Sequence, residues 1–127
     1  MIKKPFPSPD EFRFVDTPRL REAYELLDAY QRFLERELKR AERGGFPDII
    51  TVVAGAFHIA EMLDVIKDEL FYLFINDKIS GEEYLKLLKI FDKGKANEFV
   101  VDVAIEVQKA IKEKIKERSQ SQLEEVI

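Results

Sequence analysis

The sequence has no cysteine and no tryptophan, and only one histidine, His58. Without cysteine there is no disulfide, no thiolate nucleophile and no cysteine-ligated metal. A single histidine excludes, within one chain, any centre that needs two imidazoles. Glycine and proline number five each, and no glycine-rich phosphate-cradling loop occurs. The serines Ser8, Ser80, Ser119 and Ser121 fall in an arm, a helix cap and a tail, which are poor seats for a nucleophile. Long apolar runs are also missing. The longest goes from Ile49 to Ala60, contains His58 and stops at Glu61 and Asp64, short of the roughly 20 residues that span a bilayer. The opening residues, Met1 to Pro7, hold no apolar stretch of the secretory-signal kind. The expectation is a cytoplasmic protein with no membrane contact. There is no internal repeat and no strand-like alternation.

What the sequence does have is charge. Charged residues make up 36% of the 127 positions, above the roughly 25% of ordinary globular chains. Together with few Asn, Gln and Met, this matches the surface ion-pair chemistry of heat-adapted proteins. The net charge of -4 speaks against a general nucleic-acid binder. Length and a 46% hydrophobic content suit one domain with one core.

The patterning predicts an all-α fold: a small helical bundle with a long antiparallel helix hairpin, one short helix and one further long helix. Residues 1–16 read as an extended arm, with Pro5, Pro7 and Pro9 against helix and Phe6, Phe12, Phe14 and Val15 too apolar for a solvated tail. The arm is expected to lie across the bundle or across a partner subunit. The helical domain spans 17–118. Thr17 caps a first helix with Pro18 at its first position, and Gly44-Gly45 end it. Its stripe is Leu20, Ala23, Leu27, Tyr30, Leu34, Leu38 and Ala41. After the turn Phe46-Pro47-Asp48, a second helix carries the stripe Val52, Ala56, Ile59, Leu63, Ile66, Leu70 and Leu73. Ser80 with Glu83 forms a capping box for a short third helix ending at Gly94. A fourth runs from Asn97 to Arg118, and 119–127 are expected to fray.

The second helix also carries Ile50, Val53, Ala54 and Phe57 on the side opposite its stripe, and Val101 and Ile105 widen the apolar face of the fourth. A helix apolar all round must be covered all round. These residues, with Phe6, Phe12 and Phe14 of the arm, are the candidate interface. A protein-interaction module acting as a homodimer is the leading expectation, since a symmetric dimer is the commonest way to bury such a surplus. The arm itself, or a different protein partner, are the other covers.

Two acidic pairs, Glu22 with Glu25 and Glu61 with Asp64, are each spaced three apart on adjacent helices. Such a set suits Mg²⁺, a hard cation that takes oxygen ligands. The pattern, most closely Glu61-Met62-Leu63-Asp64-Val65, resembles the all-α nucleoside triphosphate pyrophosphohydrolases, the MazG and dimeric dUTPase group. The resemblance implies that these four acids bind magnesium and a nucleotide's phosphates. By helical periodicity, however, Glu25 and Glu61 fall opposite their apolar stripes, where a solvated acidic face salt-bridged to Arg32 is the simpler account. His58 shares a face with Glu61, and a hydrogen-bonded histidine at a helix seam is expected there. The basic residues Arg36, Lys39, Arg40 and Arg43, and Lys109 to Arg118, end two helices, where cations favour the dipole. They leave a nucleic-acid-associated accessory role as a third class.

Overall fold

A computed structural model describes residues 4–9, 17–45 and 49–126. They form four helices, α1 (Pro18–Glu42), α2 (Ile49–Ile75), α3 (Gly81–Ile90) and α4 (Lys93–Val126), with no strand among the described residues. The chain is an all-α helical bundle.

Local chemistry sets most helix ends. Thr17 Oγ1 accepts from the Leu20 N–H at 3.2 Å, and Pro18 stands in the first turn. The end of α1 closes when the Gly45 N–H reaches Arg40 O (2.9 Å) and the Gly44 N–H reaches Ala41 O (3.1 Å). This double closure needs a left-handed residue, and Gly44 supplies it at φ 86. The end of α2 closes the same way, Lys78 N–H to Leu73 O (2.9 Å) and Asp77 N–H to Phe74 O (3.1 Å). Here Asp77, at φ 58, occupies the position glycine usually takes. Ser80 caps α3 through the Glu83 N–H at 3.1 Å.

The fourth helix is longer than its pattern suggests at both ends. Gly94 does not end α3; α3 stops at Ile90, and Gly94 lies in the first turn of α4. Asp92 Oδ1 accepts from the Gly94 N–H at 3.1 Å and so starts α4 early. At the other end, residues 119–126 continue the helix to Val126 instead of fraying. Nothing after Arg118 is glycine or proline, and Gln, Leu and Glu are good helix formers. At about 1.5 Å per residue, the 34 residues of α4 outreach the 25 of α1.

Helices α1 and α2 form an antiparallel hairpin. Arg19 meets Glu69 (3.2 Å) at one end, and Gly55 lies against Leu34 and Phe33 further along. Helix α4 packs on both, while α3 touches α2. The core is drawn from Leu20, Leu27 and Leu34 of α1, Ile59, Leu63, Ile66 and Leu70 of α2, and Phe99, Val103 and Val107 of α4.

Residues Lys4–Pro9 cross α1, as one of the two expected placements of the arm requires. Phe6 is 1% exposed and stacks on Phe91 (6.1 Å), which stacks on Tyr24 (5.1 Å). Phe6 is therefore part of the chain's own core and not an exposed interface residue. Phe12, Phe14 and the turn 46–48 lie outside the described residues.

Replacing Asp77 by glycine removes the left-handed penalty of an L side chain, offset in part by glycine's greater freedom in the unfolded chain. Asp77→Gly is expected to raise stability by about 0.5–1 kcal/mol, measured by thermal or denaturant unfolding. A loss of stability would show that the Asp77 side chain contributes more than its backbone strain costs.

Candidate functional site

The first half of α2 and the middle of α4 diverge and leave a trough between them. Two contiguous hollows of about 340 and 420 Å³ share Val52, Val53 and Ala104. Ala56, Ala60 and Ala96 floor the wider hollow, while Val52, Val107 and Ile111 line the narrower one. Large apolar side chains stand on and beside the rims: Ile50, Val53 and Phe57 on α2, Val101 and Ile105 on α4. Phe57 is 67% and Ile50 81% exposed. The cause is positional. The buried stripe of α2, Val52, Gly55, Ile59, Leu63, Ile66, Leu70 and Leu73, is turned to its neighbours, so residues one step away face outward. The exposed apolar side chains of the two helices are contiguous along this trough. Taken by itself, α2 is also long and apolar enough, by length and composition, to cross a membrane. The apolar stretch is thus longer than the Ile49–Ala60 run alone indicates, because Glu61 and Asp64 interrupt it without ending it.

The four acids of the magnesium reading are placed apart by function. Glu22 is exposed; Glu25 meets Arg21 (3.5 Å), Glu61 meets His58 (3.5 Å), and Asp64 pairs with Lys93 at 2.6 Å. Among the described residues no three His, Asp or Glu side chains gather in a way that holds a metal ion. His58 sits at the α1–α2 seam, its ring stacked on Tyr30 at 4.8 Å. That stacking and the Glu61 contact account for it within one chain. The basic end of α4 shares a hollow of about 300 Å³ with α1, but Glu42, Glu106, Glu113 and Glu117 line it beside Lys109 and Lys114. The face is mixed in sign, without the uniform positive field that phosphate backbones need.

A second polar assembly was not singled out by motif. Tyr24, Asp28 and Gln31, spaced four and three apart, share one face of α1 and all three are buried. Gln31 is fully buried; its Oε1 accepts the Phe6 N–H (2.9 Å) and its Nε2 donates to Phe6 O (3.4 Å). Asp28 accepts from Lys4 Nζ at 2.7 Å and Ser8 Oγ at 3.0 Å, and pairs with Arg32 at 3.0 Å. Lys4 also donates to Ser8. The readable signal was the interruption of an apolar stripe by Asp28 and Gln31. Burial raises the Asp28 carboxyl, but hydrogen bonds from Lys4 and Ser8 and the charges of Lys4 and Arg32 outweigh it and leave it below its ordinary 3.8.

No family model, curated protein or solved structure matches the chain.

Two outcomes follow from this geometry. A carboxyl with a lowered folded-state pKa stabilises fully above the unfolded value and loses that contribution as pH falls through the folded one. Thermal midpoints of the wild type are therefore expected to fall more steeply below pH 3.8 than those of Asp28→Asn; parallel curves would remove Asp28 from the account. Second, millimolar Mg²⁺ is expected to leave the midpoint unmoved. A rise that Glu61→Gln and Asp64→Asn abolish would reinstate the acids as a site.

Proposed function

We propose that the protein is an interaction module that works as a homodimer, two copies meeting face to face on the α2–α4 trough. The observation that carries this reading is the form of the trough. Bulky apolar residues on the rims flank a floor of alanines. A two-fold interface must be self-complementary, so that what protrudes on one copy fits what recedes on the other. Phe57 and Val101 supply the protrusions and Ala56, Ala60 and Ala96 the recess, with Ile105 exposed beside them. The seated pair extends the bundle by a second copy of α2 and α4 and covers the uncovered half of α2.

Packing also favours a second copy over a lone aromatic segment. The exposed apolar residues run along α4 from Val101 past Ile105 to Ile115, beside Phe57, Val53 and Ile49 of α2, a length that a helical layer covers. Charged side chains are sparse on the trough floor, which is the depletion expected at an interface core.

Light scattering on a sizing column is expected to give twice the chain mass at micromolar concentration. Phe57→Asp and Ile105→Asp each place a charge in the interface twice, once per copy. Each should raise the dimer dissociation constant by about 30-fold or more, the equivalent of losing one hot spot, while helical content stays intact. A wild-type monomer, or an unchanged mass in both variants, would contradict the proposal. Binding of the monomer to lipid vesicles would give the trough to a membrane surface instead.

A further inference from the structure

We propose that the cleft on α1 that holds Lys4–Pro9 is a peptide-recognition site. Its ligand class is an extended, proline-punctuated segment that carries a cation, an aromatic ring and a hydroxyl at alternate positions, and the chain's own arm is its resident competitor. This site is independent of the proposed dimer face: it lies on α1 and Phe91, away from the α2–α4 trough.

The contacts are those of a receptor with a peptide. Gln31 engages the main chain of Phe6 through both ends of its amide, N–H to Oε1 and Nε2 to carbonyl. A fully buried glutamine amide is costly unless its donor and acceptor are both matched, and a peptide bond flanking one residue matches both. The cleft thus requires a backbone, not merely apolar bulk. Tyr24 and Phe91 form the aromatic seat for Phe6. Asp28 takes the cation and the hydroxyl two residues to either side. Prolines at 5, 7 and 9 remove every second N–H and restrict the backbone before binding, so little ordering entropy is lost on docking. The N–H that Phe6 carries into the buried centre is satisfied by Gln31. Each of these contacts is made by residues 4–8 and α1 or Phe91, so a segment with the same pattern on another chain can make them all.

In the wild type the tethered arm competes at an effective concentration in the millimolar range. The test uses the full chain with Phe6→Ala, which handicaps the arm and empties the aromatic seat. The probe is a fluorescein-labelled synthetic peptide of residues 2–9, followed by anisotropy and by the thermal midpoint. Binding to Phe6→Ala is expected to be at least about tenfold tighter than to wild type and to restore the midpoint. It should be lost when the peptide's Phe is Ala and when Gln31→Leu is added to the protein. Lys4→Glu, which sets a carboxylate against Asp28 and so weakens the arm's hold on the cleft, is the handicapped variant if Phe6→Ala does not fold. Equal binding of the Phe and Ala peptides, binding indifferent to Gln31→Leu, or no binding to either variant would overturn the proposal.

Discussion

Everything in this structure depends on how α2 is covered. It is the most apolar helix of the chain, and its apolar residues are not confined to one face. Helix α1 takes the stripe from Val52 to Leu73, and α4 leans against part of what remains. A chain of 127 residues buries a smaller fraction of its surface than a larger one, and the described residues supply four helices to share the covering. The trough between α2 and α4 is the consequence. Its alanines and bulky flanking side chains are the basis on which a second copy of the chain is proposed to cover it.

The arm solves a different problem at the other face of α1. Asp28 and Gln31 interrupt an apolar stripe, and each would be a liability if left alone in the core. Lys4 and Ser8 donate to Asp28 Oδ1, and the main chain of Phe6 meets both ends of the Gln31 amide. The arm also closes the seam where α3 hands over to α4, because Phe6 rests on Phe91 at that junction. Polar pairing thus sets where the segment lies, and aromatic burial supplies the driving force.

Much of the bundle was legible in the sequence because periodicity accumulates. Seven apolar positions stepping along α2 define one direction, and six of those named are buried in the observed stripe, with Gly55 in place of Ala56. The caps Thr17 and Ser80 were legible for the same local reason: each needs only the three residues that follow it. The exposed surplus at Ile50, Val53, Phe57, Val101 and Ile105 followed from counting faces. Other features depend on distant partners and leave no local trace. Phe6 reads as a free aromatic until Tyr24 and Phe91 are brought to it. Gly94 reads as a stop until the Asp92 side chain is seen capping a new helix over it. The four acids share a spacing with magnesium sites, but spacing alone does not say whether two pairs converge. Lys93, Arg21 and His58 draw three of them to separate partners.

The lack of cysteine makes the proposed dimer directly testable. A single spin label at Asp102→Cys, exposed beside the trough on α4, reports only on the distance between two copies. Pulsed dipolar spectroscopy is predicted to give one narrow intermolecular distance. That distance should vanish when Phe57→Asp is added. A label that shows no dipolar coupling at micromolar protein, or a coupling that survives Phe57→Asp unchanged, would contradict the claim that the α2–α4 trough is closed by a second copy of the chain.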